Sequence, residues 1–295
     1  MLLTRRQMMI GISAALIARP NAVFAAERPA SASDRLAAVE FGVGGRLGVA
    51  ALATGSGQRI DFRSDHRWPM CSTFKLLLAG AVLAKVDAGQ ERLDRQIAFG
   101  KDDLQEYGPI VKNNLAVGKM TIRDLCDAAI RWSDNAAANL LLATIGGPEG
   151  VNQFTRSMDD HVTHLDRIEP FLNVVPPGDA RDTTSPAAML LDMKMLLLHD
   201  RLQPASRDLL IDWLVRCETG NERLRAGLPS DWRVGDKTGT WSGGSSNDVA
   251  MVWPPGRSPL LITAYLANSP ASQADQNKAL AEVARIVADE LVSRA

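Results

Sequence analysis

The chain has 295 residues, 46% hydrophobic and only 5% aromatic, with 33 basic against 34 acidic side chains. It contains no basic run and few aromatic residues, which argues against a nucleic-acid partner. Its length suits one large domain or two smaller ones.

Residues 1–26 read as an export signal. Arg5 and Arg6 stand at the head, an apolar run follows from Met8 to Ile17, and Ala22, Ala25 and Ala26 supply small residues for cleavage. Thr4-Arg5-Arg6 also suits the twin-arginine route, with an ordinary secretory signal as the alternative. A periplasmic or secreted location is therefore expected. The apolar run is too short to span a bilayer, which takes about 20 residues. Every later apolar run is broken by charge, so no membrane anchor is expected.

Ser33 to Phe41 has the spacing of an amphipathic helix. Arg46 to Thr54 and Arg59 to Arg63 read as a hairpin around Gly55-Ser56-Gly57. A helix begins near Ser72 and continues through the apolar run Leu76 to Val86. Further helices are expected from Leu125 to Trp132, behind a capping-box-like Thr121-Ile122-Arg123-Asp124, from Asn135 to Ile145 and from Gly150 to Met158. Residues 159–184 carry three prolines and little periodicity, and a loop that long in a compact domain usually serves function or is disordered. Ser185-Pro186 reads as an N-cap and first helical residue, leading to Leu198. Pro204 to Val215 is the next helix. Arg233 to Thr238, Asn247 to Trp253 and Pro259 to Ala267 read as strands, and Ser272 to Ala295 as a closing amphipathic helix. A helical middle is thus bracketed by strands from both ends of the chain, which predicts one sheet with the terminal helices packed on it.

Three cysteines is an odd number for an exported chain, so at least one is free or pairs between chains. Cys126 lies in an apolar helical pattern and reads as a small buried hydrophobe. Cys71 has no histidine or basic cluster beside it in sequence, which argues against a nucleophile. Whether Cys217 meets Cys71 stays open. His66, His161, His164 and His199 are scattered without ligand spacing, so neither a metal nor a cofactor is expected.

Chemistry enters at Ser72-Thr73-Phe74-Lys75. Residues i and i+3 of a helix are neighbours on one face, about 5–6 Å apart at Cβ. Lys75 can therefore reach Ser72, although a capped helix with a snorkelling lysine reads the same. Three more short motifs follow: Ser133-Asp134-Asn135 between two helices, Glu169-Pro170-Phe171-Leu172-Asn173 in the long loop, and Lys237-Thr238-Gly239-Thr240 at a strand end. Each is weak alone. In this order and at these separations the chain resembles the class A serine β-lactamases, from about Ser33 to the C-terminus. Tyr107, Asn139, Arg181-Asp182-Thr183-Thr184 and Trp213 agree with the resemblance.

The resemblance implies an α/β (α+β) fold of the kind shared by β-lactamases and penicillin-binding proteins. An antiparallel sheet flanked by terminal helices would form one domain, from residues 27–66 and 217–295. An all-helical domain would span 67–216 and include the 159–184 loop. It also implies hydrolysis of the β-lactam amide of penicillins and cephalosporins, conferring resistance, by a monomer. Ser72 would be the nucleophile. Lys75, or Glu169 through a water, would be the acylation base. Ser133 would pass a proton to the leaving nitrogen, and Glu169 with Asn173 would activate water for deacylation. The oxyanion donors would be the N–H groups of Ser72 and Thr240. Tyr107, Asn135, Lys237, Thr238, Gly239, Thr240 and Arg223 would bind substrate, with a surface position on a helix as the alternative for Arg223. Arg167 and Asp182 would close the loop as an ion pair. In carbapenem-hydrolysing relatives, the cysteine before the serine bonds to a second one, placed two residues after Lys-Thr-Gly. Here Trp241 holds that second position, so Cys71 lacks this partner and carbapenem hydrolysis is in doubt.

Two competing readings share part of this pattern. A penicillin-binding peptidase would have Ser-x-x-Lys and Lys-Thr-Gly but lack the Glu169–Asn173 pair. A covalent β-lactam sensor would need a membrane segment beyond the leader.

Overall fold

The computed structural model describes residues 30–176 and 178–292. The export signal read at residues 1–26 lies outside them. In chain order the elements are α1 (Ala32–Val43), β1 (Arg46–Ala53), β2 (Arg59–Phe62), β3 (Trp68–Pro69), α2 (Phe74–Asp87), β4 (Gln96–Ala98), α3 (Pro109–Asn113) and β5 (Lys119–Thr121). They continue with α4 (Ile122–Arg131), α5 (Asn135–Ile145), α6 (Pro148–Arg156), β6 (Thr183–Thr184), α7 (Pro186–Leu197), α8 (Pro204–Val215), β7 (Arg233–Trp241), β8 (Ser245–Trp253), β9 (Leu260–Ala267) and α9 (Gln273–Leu291).

The main sheet is antiparallel, in the order β2-β1-β9-β8-β7. Strands from the two chain ends meet at the β1–β9 pair, where Arg46 lies opposite Ala267 and Ala53 opposite Leu260. Successive strand residues face opposite sides, and here both sides are covered. Leu47, Val49 and Ala51 of β1 join Leu280, Val283 and Val287 of α9 in one core. Ala50 and Leu52 point the other way, into a core shared with Leu76, Leu77, Met189 and Trp213 of the helical region. That double burial explains why β1 reads as a continuous apolar run instead of an alternating one.

The helix expected near Ser72 begins with a 3₁₀ turn at Cys71–Thr73 and becomes α-helical at Phe74. The helix expected from Gly150 starts two residues earlier. Gly146-Gly147-Pro148 ends α5 with Gly146 in the left-handed conformation and then supplies Pro148 as the first residue of α6. The Thr121 cap is half a capping box: its hydroxyl accepts from the Asp124 N–H, as an N-cap should. The hairpin β7–β8 is longer than its apolar pattern, reaching Trp241 opposite Ser245, because Gly244 (φ 92°) makes the tight turn. The two-stranded pairings β3–β6 and β4–β5 were not anticipated, since pieces this short show no periodicity.

Candidate active site

Ser72 and Lys75 sit where α2 starts, between the sheet and the helical region. Cys71 takes a left-handed backbone (φ 45°), a conformation that L residues adopt only when their surroundings enforce it. Asn247 of β8 helps to do so, with its Nδ2 donating to Pro69 O at 2.8 Å and Met70 O at 3.1 Å. Lys75 is fully buried. Its Nζ lies 3.0 Å from Ser72 Oγ, 2.7 Å from Ser133 O, 2.6 Å from Asn135 Oδ1 and 3.1 Å from Glu169 Oε1. An ammonium has three N–H groups for these four oxygens. Burial pulls the Lys75 ammonium below its ordinary value, against the pull of Glu169.

Ser133 follows α4 in a left-handed turn (φ 57°). Asp134 holds that turn. Its Oδ1 accepts from Ala137 N as the N-cap of α5, and its Oδ2 accepts from Ile110 N and Val111 N. The Asn135 N–H donates to Tyr107 O at 3.0 Å, which carries Tyr107 to the rim, half exposed.

Glu169 is brought in by the long loop. Leu165 and Leu172 anchor the loop in the helical-side core. At the neck, Asp182 Oδ1 accepts from Asp166 N and Arg167 N, and its Oδ2 accepts from Arg167 Nε at 2.5 Å. Asn139 of α5 clamps the Glu169 backbone on both sides, donating to its carbonyl at 2.9 Å and accepting from its N–H at 3.0 Å. The Glu169 carboxylate then meets Ser72 Oγ at 3.3 Å and Asn173 Nδ2 at 2.7 Å.

The opposite wall is β7, an edge strand with one row of N–H and C=O groups free of sheet pairing. Gly239 allows its approach: a Cβ there would stand 2.8 Å from Met70 O and 3.2 Å from Ser72 N. Lys237 is buried, 3.0 Å from Ser133 Oγ and 2.8 Å from Thr238 O. Burial first, and Lys75 second, bring its ammonium down to about 7. Thr238 Oγ1 lies 2.6 Å from Thr219 Oγ1.

Arg223 is not the surface arginine on a helix that was the alternative reading. It is 5% exposed, outside any α-helix, and lies behind the wall instead of on it. It donates to Thr240 Oγ1, Gly239 O, Asn247 O and Asn277 Oδ1. None of these acceptors is a carboxylate, and Thr240, which lines the cleft, is its link to the site.

Ser72, Tyr107, Ser133, Asn135, Glu169, Asn173, Thr238 and Thr240 line one cleft of about 540 Å³, with Glu106, Thr219, Trp241 and Ser242. Lys75 and Lys237 lie just beneath its wall. Arg167 and Asp182 stand at the loop neck.

The Beta-lactamase enzyme family model matches residues 31–291. The chain belongs to the β-lactamase enzyme family. The β-lactamase AST-1 of Nocardia asteroides is 47% identical over 262 residues, covering 89% of this chain and 84% of that protein. The β-lactamase of Streptomyces albus G is 44% identical over 265 residues, covering 88% and 84%. A solved ancestral class A β-lactamase, of the last common ancestor of Gram-negative bacteria, superposes with a TM-score of 0.86 at 55% identity, covering 88% of this chain and 99% of that one. The chain is accordingly a class A β-lactamase.

Several residues of this β-lactamase site escaped the sequence reading of roles. Asn139 was visible only as an asparagine one turn after Asn135. Asp134 was visible only as part of a common N-cap string. Thr219 carried no signal, because its pairing with Thr238 comes from two distant segments. The cysteines are resolved: Cys71, Cys126 and Cys217 are all free and buried. Burial pushes the Cys71 and Cys217 thiols up to about 12, so neither offers a thiolate nucleophile. Among the described residues there is no group of His, Cys, Asp and Glu suited to a metal ion, and no helix long and apolar enough to cross a membrane.

Proposed function

We propose that this β-lactamase opens the ring of penicillins and cephalosporins through an acyl-enzyme on Ser72, and that Glu169 deacylates it. The observation that carries the reading is the position of Ser72 Oγ, within reach of Lys75 Nζ (3.0 Å) and Glu169 Oε1 (3.3 Å) together.

A serine must lose its proton as it attacks. Lys75 in its neutral form takes that proton directly, a role favoured by its lowered value. Glu169 takes it through a water in the alternative route. The serine oxygen bonds to the lactam carbonyl carbon, and the carbonyl oxygen becomes an oxyanion. The N–H groups of Ser72 and Thr240 receive it, one at the start of α2 and one on the unpaired edge of β7. As the C–N bond breaks, Ser133 gives its proton to the departing nitrogen and takes one back from Lys75, which holds the proton removed from Ser72, while Lys237 steadies the Ser133 oxygen. Lys237, Thr238 and Thr240, with Arg223 behind, hold the substrate carboxylate, and Asn135 holds the side-chain amide.

For deacylation, Glu169 removes a proton from a water held with Asn173, and the hydroxide attacks the ester. As the Ser72–acyl bond breaks, Glu169 returns the proton taken from the water to Ser72 Oγ, 3.3 Å away. The leader read at residues 1–26 supports export, which would let the enzyme confer resistance by destroying the drug outside the cytoplasm; we propose that it acts as a monomer. Intact-mass spectrometry after mixing with a penicillin tests the scheme. Glu169→Ala should accumulate the adduct, and Ser72→Ala should form none and hydrolyse nothing. Turnover by Ser72→Ala would sink it.

A further inference from the structure

We infer that Asp192 is a positioning residue for Glu169: its carboxyl keeps a proton, donates it to the Asp160 carboxylate, and so ties α7 to the base of the 159–184 loop. The inference rests on Glu169 as the deacylating residue.

Asp192 lies on α7 and is 1% exposed, and Asp160 at the loop entrance is 7% exposed. The two carboxyls face one another. Oδ2 of each is buried and meets no N–H or hydroxyl donor. Neither residue takes part in any ion pair among the described residues. Two buried like charges without a cation repel strongly, and each leaves an orphaned oxygen. A single proton on the Asp192 side removes both costs. Burial, with Asp160 beside it, accordingly raises the Asp192 carboxyl well above the ordinary carboxylate range.

Among the described residues the surroundings offer no other partner. From β9 comes Tyr265, whose hydroxyl is engaged with Thr73 at 3.2 Å. The stretch Leu47 to Ala53 of β1 carries no charge. On α8, Asp208 and Asp212 are exposed and Arg207 donates to His199 O. Lys194, two residues on in α7, is half-buried. Arg67 donates to Val162 O and Thr183 Oγ1, the loop beside the pair and not the pair itself.

The bond matters because Asp160 builds the loop entrance with its other oxygen. Oδ1 accepts from Val162 N at 2.7 Å and Thr163 N at 3.0 Å. Thr163 Oγ1 in turn meets Thr184 Oγ1 at 2.7 Å, and His164 N donates to Thr183 O at 2.9 Å, which joins the two arms of the neck. Losing the shared proton at high pH sets the two carboxylates against each other at this joint. Glu169 then drifts, so deacylation fails before acylation does.

The test compares the full-length enzyme with Asp192→Asn, whose amide donates to Asp160 without titrating. A group whose folded value is raised contributes stability that is lost as pH rises through that value. The Tm of Asp192→Asn should therefore gain on the parent progressively from pH 5 to 10. In single-turnover experiments with a penicillin, its deacylation rate should equal the parent's at pH 6 and fall several-fold less by pH 10. A Tm difference that stays constant with pH overturns the shared proton. A growing Tm difference with identical deacylation profiles overturns the positioning role. If Asp192→Asn does not fold, Asp160→Asn carries the same expectations, because its amide donates in the opposite direction while its oxygen keeps the two N–H bonds. If Glu169→Ala accumulates no adduct, the deacylation scheme fails separately, and the Tm comparison still decides the proton.

Discussion

Asn139 grips Glu169 by its backbone, donating to the carbonyl at 2.9 Å and accepting from the N–H at 3.0 Å. A helix of the rigid core thereby fixes the position of a residue that belongs to a loop. The carboxylate is left free for Lys75, Ser72 and Asn173.

Asn139→Ala removes both bonds and leaves both backbone groups to find water. The loss should be about 1–3 kcal/mol, at roughly 0.5–1.5 kcal/mol for each bond. Since about 1.4 kcal/mol is tenfold in rate, deacylation should slow by about tenfold or more while acylation changes little. Single-turnover kinetics separate the two. Equal losses in both steps would contradict the clamp.

Asp182→Ala strips acceptors from two backbone N–H groups and from the Arg167 guanidinium at once. Breaking a buried pair by removing one partner costs about 3–5 kcal/mol, and each kcal/mol is worth roughly 2–4 °C in a domain of this size. Thermal unfolding should show that drop. Acyl-enzyme should persist longer, because the freed neck lets Glu169 move.

Gly239→Ala places a methyl 2.8 Å from Met70 O and 3.2 Å from Ser72 N. Neither is the end of a flexible side chain, so β7 must retreat from the Ser72 turn. A shift of about 1 Å at a reacting centre costs about 100-fold, and the acylation rate should fall by that order. An unchanged acylation rate would show that β7 does not form half of the oxyanion pocket.

Lys237 gives a pH signature. Its ammonium, at about 7 in the free enzyme, is lost as pH rises. kcat/KM for an anionic β-lactam should fall on the alkaline side, chiefly through KM, and Lys237→Arg should flatten the rise in KM. Stability runs the other way. The unfolded chain holds this proton to about 10.4, so between about 7 and 10.4 it binds more protons than the folded one. The Lys237 contribution to stability therefore grows with pH across that window and is lost as pH falls through 7. Activity and Tm profiles on the same samples check both signs.

Cys71 sits next to Ser72 yet should be inert. With its thiol at about 12 and fully buried, iodoacetamide at pH 8 should leave activity intact. Labelling of all three cysteines should appear only after denaturation.

Much of the fold was legible because its signals are local. The Ser185 cap with Pro186, the end of α5 at Gly146 and the period-3.6 pattern of α9 depend on neighbours within a turn or two. The two-residue β3 and β6 were illegible for the same reason, since their pairing joins segments far apart in sequence. The site was legible as four motifs in order, which sufficed for the family but not for every role. Arg223 shows the difference. Its type and position suggested either a surface charge or a wall of the cleft, and packing put it behind Thr240, held by four neutral acceptors.

The residue types and their spacing along the chain decided which groups this enzyme can bring to bear: a serine with a lysine one helical turn away, a carboxylate with its amide partner, and a second lysine on a strand. Spacing within a turn is set by backbone geometry, which the chain carries locally. Only the tertiary structure decided that Glu169 lies 3.3 Å from the Ser72 hydroxyl, 97 positions away, and that Lys75 and Lys237 are stripped of water. Distance between remote segments and the energy of a buried charge both come from packing, and packing is a property of the whole chain.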